Sequence, residues 1–231
     1  DLEFSMIILY PLLAISMKII NLIKNKFATL LIFLVFSQTT LAEDYQKLLI
    51  LGDSISAGYG ISKELSWVET LQKLFVKEGE KIEIINASIS GETTLGGFSR
   101  VSNLISRYSP NFILIELGGN DALRGYPVEM IKSNLVKISE IALKSDVAVV
   151  LMQIRIPPNY GLKYTSALET MYLEISETKE VHLIPFVFEN ISLNKEFMMP
   201  DGIHPNEKAQ PLIADKVYKF LKSVLVLLKK D

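Results

Sequence analysis

FILIELGGND, residues 112–121, runs nearly unbroken through apolar side chains and then stops on a polar turn containing two glycines. A strand covered on both faces has this composition, because neither of its sides alternates toward water. Two further runs share it: LLIL within 47–52 and VAVVLM within 147–153. Two more differ. The run 81–86 alternates through Ile82, Glu83 and Ile84, and 181–186 holds His182 and Pro185, so both suit the edges of a sheet.

Working outward, stretches of helical period separate these runs. Ser66-Trp67-Val68-Glu69 reads as a capping box, followed by Val68, Leu71 and Phe75 at helical spacing. Leu95, Phe98, Val101, Ile105 and Tyr108 make a second stripe. Pro127, at a first helical position, opens a third with Val128, Ile131, Leu135, Ile138 and Ala142. Leu168, Met171, Tyr172 and Ile175 mark a fourth, and Ile213, Val217, Phe220, Leu221 and Val224 a fifth. Strand alternating with helix predicts an α/β fold, a parallel sheet with helices on both faces. No repeat and no second domain is visible.

Composition narrows the function classes. Of 231 residues 49% are apolar and 22% charged, the balance of a packed globular chain. The formal charge is −2 and no basic block occurs, which argues against a nucleic-acid partner. There is no cysteine, so thiol chemistry, disulfides and thiolate-bound zinc are excluded. His182 and His204 are the only two histidines, hence the only imidazole bases. No HExxH, no P-loop lysine and no G-x-G-x-x-G is present, so neither a metal nor a nucleotide cofactor is expected.

Residues 17–42 read as a signal peptide: Lys18, Lys24 and Lys26 precede an uncharged run from 27 to 42 that ends Thr40-Leu41-Ala42. Cleavage after Ala42 is expected, with export to the periplasm, no membrane anchor left behind, and a single domain spanning 43–231. Residues 1–16, ahead of Met17, are expected to be an upstream or non-native extension.

In open parallel sheets ligands bind beyond the carboxyl ends of the strands. Four polar turns stand there: Gly52-Asp53-Ser54, Asn86 to Gly91, Gly118-Gly119-Asn120-Asp121, and Asp201-Gly202-Ile203-His204-Pro205. As the blocks GDSISAGYG (52–60), NASISGETT (86–94), ELGGNDALRG (116–125), LMQIRIPPNYG (151–161) and DGIHPNEKAQP (201–211), the chain resembles the SGNH (GDSL) hydrolases, in particular their exported thioesterase I/lysophospholipase/arylesterase branch. The likeness runs from Leu48 to about Phe220. It implies a flavodoxin-like, three-layer α/β/α sandwich with a five-stranded parallel sheet, and a serine hydrolase acting on acyl esters and thioesters without a cofactor.

The residues bear this out one at a time. Ser54 follows a strand and opens a helix, where a hydroxyl projects at the sheet edge and a backbone N–H faces developing negative charge; alone, it reads more readily as a helix cap, and the other blocks turn the reading to the nucleophile. His204 is the expected base, with Asp201 three residues earlier reaching back around Gly202 to hold the imidazole. His182 lies within a strand and is expected to be structural. Oxyanion donors are expected from the Ser54 N–H, from Gly91, whose missing Cβ permits close approach, and from the Asn120 amide, the same three positions the resemblance assigns. Asp53 and Asp121 read as turn or network residues.

The loops 122–127 and 154–161 supply an apolar rim, Leu123, Tyr126, Ile156, Pro157, Pro158 and Tyr160, suited to a fatty-acyl chain. The expected partner is thus a small-molecule or lipid acyl ester or thioester. The alternatives are a carbohydrate O-deacetylase on the same scaffold, disfavoured by the scarcity of aromatics for sugar stacking, and a non-catalytic exported binding module, disfavoured because Ser, Asn and His are all in place.

Overall fold

A computed structural model describes residues 45–178 and 180–228; the expected signal peptide (17–42) and the expected leading extension (1–16) lie outside the described residues. Five strands form one parallel sheet: β1 (Gln46–Gly52), β2 (Ile82–Asn86), β3 (Phe112–Glu116), β4 (Ala148–Met152) and β5 (Val181–Ile184), in the order β2-β1-β3-β4-β5. The two runs read as edges are the edges.

Side chains alternate between the two faces, as strand geometry requires. Leu48, Ile50, Leu114, Val150 and Met152 pack on one side against α2 (Trp67–Lys77) and α8 (Gln210–Leu228). Leu49, Leu51, Ile113, Ile115, Val149 and Leu151 pack on the other against α3 (Thr94–Tyr108), α5 (Val128–Leu143) and α6 (Leu162–Thr178). Each such fully buried Leu or Ile contributes about 1.5–3 kcal/mol. Three layers result, the expected sandwich.

Short elements escape the periodicity argument: α1 (Ser54–Ala57), α4 (Gly119–Leu123) and α7 (Glu189–Ser192) are too brief to show a stripe. Leu95 and Phe220, counted into apolar stripes, are exposed at 59% and 37%; Leu95 lies on the side of its helix that also carries the exposed Ser102 and Ser106. The capping box at Ser66 is half made. Its side chain accepts the Glu69 N–H, while its own N–H donates to the Lys63 carbonyl. Pro127 stands one place earlier than expected, as the cap residue before Val128. Among the described residues no helix is long and apolar enough to cross a membrane.

The direction of strand addition reverses at β1, which has β2 on one side and β3 on the other. Loops leaving β1 and β3 therefore part to opposite faces and open a crevice. Both carry candidate residues.

Candidate active site

β1 ends on Gly52, and the chain turns at once into α1. Asp53 caps it, its Oδ1 accepting the Ile55 N–H at 3.1 Å. The capping role thus falls to Asp53, and Ser54, the first helical residue, has its hydroxyl free to face the crevice. As a first-turn residue its N–H has no carbonyl partner within the helix. Trp67, buried against this turn, donates its indole N–H to the Ile55 carbonyl at 3.2 Å.

His204 arrives from the other end of the chain. Its Nε2 lies 2.9 Å from Ser54 Oγ, and its Nδ1 lies 2.7 Å from Asp201 Oδ2. A carboxylate facing Nδ1 keeps the proton there, so Nε2 presents its lone pair to the serine hydroxyl. Asp201 Oδ1 also accepts the N–H groups of Ile203 (2.9 Å) and His204 (3.0 Å), closing the turn on itself. Gly202 makes that turn at φ +68°. Burial pushes the Asp201 carboxyl up, but the N–H groups of His204 and Ile203 and the His204 ring outweigh it and hold the group at about 2. Asp201 is therefore an anion throughout the neutral range. The ring of Tyr59 packs against the imidazole at a tilt of 37°, centroids 4.6 Å apart.

Gln210, 2% exposed, ties the two halves together. Its side-chain oxygen accepts the Trp67 N–H at 2.9 Å, and its amide donates to the Pro205 and Asn206 carbonyls at 3.2 Å each.

Ser54, Gly91 and Asn120 line one cleft of about 780 Å³ together with His204. Asn120 lies in the first turn of α4 and donates its amide to Asp53 Oδ2 at 3.0 Å. Gly91 also meets a backbone requirement: it sits at φ +80°, which L side chains rarely adopt. Asp121 is a network residue, as expected. Fully buried, it accepts the backbone N–H of Thr94 at 2.9 Å and the Thr94 hydroxyl at 2.7 Å.

Of the expected rim, Leu123, Ile156, Pro157 and Pro158 line the cleft. Tyr126 and Tyr160 do not. Their loops are instead stitched to neighbours, Tyr160 Oη donating to the Leu123 carbonyl and Tyr164 Oη to the Tyr126 carbonyl. The opposite wall, Phe186, Phe188, Leu193, Met198 and Ile203, was not anticipated. Its only sequence signal is the apolar content of FVF right after β5.

Glu116 was also missed. It ends β3 with 1% exposure and lines the cleft floor. Burial, and the nearby Asp53, push its carboxyl well above the ordinary range; hydrogen bonds from the Ser56 hydroxyl and the N–H groups of Asp53 and Ser56 only partly oppose this.

Comparison with known proteins gives a consistent result. Residues 50–211 match the GDSL-like lipase/acylhydrolase family. The chain is 43% identical over 184 residues to an arylesterase of Vibrio mimicus, covering 80% of this chain and 92% of that protein. It is 40% identical over 178 residues to thioesterase 1/protease 1/lysophospholipase L1 of Escherichia coli (strain K12), covering 77% and 84%. Among solved structures, the psychrotrophic esterase EstA from Pseudoalteromonas sp., in a form inhibited by monoethylphosphonate, superposes with a TM-score of 0.76 at 42% identity, covering 78% of this chain and 98% of that one.

Proposed function

The chain belongs to the GDSL-like lipase/acylhydrolase family, as an esterase/thioesterase, and from that premise we propose that it hydrolyses acyl esters and thioesters through an acyl-Ser54 intermediate. One observation carries the reading: residues 150 positions apart bring a hydroxyl to 2.9 Å from an imidazole that a carboxylate orients from behind.

Ser54 Oγ attacks the acyl carbon while its proton passes to His204 Nε2, the adjacent base without which a serine is a weak nucleophile. The carbonyl oxygen becomes an oxyanion, received by the N–H groups of Ser54 and Gly91 and the amide of Asn120. As the tetrahedral carbon collapses, the bond to the alcohol or thiol breaks and that group takes the proton from His204. Water then repeats the cycle on the acyl-serine, losing its proton to the same nitrogen and releasing the acid.

The acyl chain is assigned to the apolar cleft between Ile156 and Phe188, where each buried methylene contributes about 0.8 kcal/mol. We further read 17–42 as a cleaved export signal directing the domain from residue 43 onward to the periplasm, on the Lys18, Lys24, Lys26 and Ala42 pattern.

One experiment tests both readings: label the exported protein with a serine-directed phosphonate and measure its intact and peptide masses. A single adduct on the peptide containing Ser54, absent from Ser54→Ala, in a chain beginning near Glu43, is the expected result. An adduct elsewhere ends the serine assignment, and an intact residue 17–42 segment ends the export assignment.

A further inference from the structure

Asp53 is neither the base nor the acid behind it, yet both of its carboxylate oxygens are engaged at the reacting centre. Oδ1 holds the Ile55 N–H under Ser54, and Oδ2 accepts the Asn120 amide at 3.0 Å. The side chain has little freedom. Asp53 is 4% exposed, and a Cβ added at Gly119 would stand 3.4 Å from Oδ2. From beneath, Glu116 Oε2 accepts the Asp53 N–H at 3.3 Å and the Ser56 hydroxyl at 2.7 Å, so it grips the chain on both sides of Ser54. Gly52 leaves it room, since a Cβ there would come within 2.8 Å of that oxygen.

We propose that Asp53 is a positioning residue: its carboxylate aims the side-chain amide of Asn120 at the oxygen of the attacked acyl group, with Glu116 holding Asp53 from below. The proposal rests on the acyl-serine reading above. A side-chain amide has two N–H bonds in one plane. With one fixed on Asp53 Oδ2, the direction of the other is set before substrate arrives, which is what a preorganised oxyanion donor requires. An asparagine at 53 has the same shape but one acceptor oxygen in place of two. Whichever of the Ile55 N–H and the Asn120 amide it kept, the other would face an NH2 group.

The same geometry has a pH consequence. The groups facing Asp53 are Glu116 from β3, Glu92 from the loop before α3, His204 from the C-terminal loop and Tyr172 from α6. Burial, and more weakly Glu92, push the Asp53 carboxyl up, while the Ile55 N–H, His204 and Asn120 pull it down, leaving it at about 6. On acidification Asp53 takes up a proton and one acceptor becomes a donor, so its hold on Asn120 is lost. Protonation of Asp53 thus adds an acid-side loss of activity of its own, one that acts through Asn120.

The test uses Asp53→Asn, Asn120→Ala and the double variant, with p-nitrophenyl esters under chemistry-limited conditions. Asp53→Asn should lower kcat about 10–100-fold with KM within about twofold, and Asn120→Ala about 10²–10³-fold. The double variant should be within about threefold of Asn120→Ala, because Asp53 acts through that amide. The acid limb should be steeper in the parent enzyme than in either single variant, because both variants lack the contribution of Asp53 acting through Asn120. Losses that multiply in the double variant, or an acid limb that stays steep in Asn120→Ala, would overturn the proposal, and the second readout stands even if Asp53→Asn fails to fold. Phosphonate labelling separates the two levels: an adduct on Ser54 with multiplying losses removes only the role of Asp53, whereas an adduct elsewhere removes the serine mechanism itself.

Discussion

Ser54 and Asn120 stand at the ends of the two central strands over buried polar groups, whereas Asp201 and His204 ride on a segment, 185–209, that holds only α7 and short 3₁₀ turns. The first pair is fixed by distant parts of the chain: Asp53 to Asn120, Glu116 to Ser56, Asp121 to Thr94, and Asn134 to the Thr94 hydroxyl at 3.1 Å. The second pair is fixed mainly by its own neighbours. Met199 and Asn206 bond across the loop to the His204 and Phe197 carbonyls, and Asn206 Nδ2 donates to the Glu196 carbonyl at 2.7 Å. The proposed nucleophile and oxyanion donors therefore share the rigidity of the sheet, while the proposed base depends on a locally knitted loop, joined to the rest through Gln210 and, nearer β5, through Gln153, Arg155 and Lys216.

The largest expected effect tests whether the two halves work as a unit. Ser54→Ala and His204→Ala should each lower turnover on the order of 10⁴-fold, and the double variant no further. Steady-state kinetics giving multiplied losses would show two independent contributions. The next contrast is in stability. Asp121→Ala leaves the buried Thr94 N–H and hydroxyl without their acceptor and should cost about 3 kcal/mol in denaturant unfolding. Asn206→Ala, at the loop, should cost only about 1 kcal/mol while lowering kcat by a larger factor than Asp121→Ala does under native conditions. Equal stability losses at the two sites would erase the distinction. The smallest effect concerns pH. Asp53, raised to about 6, contributes stability that is fully present below the ordinary carboxyl range and lost as pH rises through about 6. Asp201, lowered to about 2, contributes stability present above that range and lost as pH falls toward 2. Asp53→Asn should flatten the decline in melting temperature between pH 4 and 7, and Asp201→Asn should flatten the decline on acidification below about 4. Slopes of the reverse sign would contradict the assignments.

Much of this was legible in the sequence because its signals are long or local. Unbroken apolar runs revealed the central strands, alternation and Pro185 revealed the edges, and the three-residue spacing of Asp201 and His204 sufficed to bring carboxylate and ring together. The missed features are those that pattern does not encode. Glu116 hides as one charge inside an apolar run, and only the strand register shows that it faces Gly52 and the nucleophile turn. The wall from Phe186 to Ile203 is built from elements too short for periodicity. Tyr126 and Tyr160 read as rim because they are aromatic and follow the right strands, but those loops bind each other through a hydroxyl and a carbonyl and keep the rings out of the cleft.

That the proposed acid and base lie three residues apart on one self-bonded loop also bears on temperature. Heat that loosens this segment displaces carboxylate and imidazole as a single body, before the strands beneath the nucleophile give way. Warming the enzyme should therefore produce a reversible loss of turnover below the melting midpoint, with the interior still intact and activity recovered on cooling.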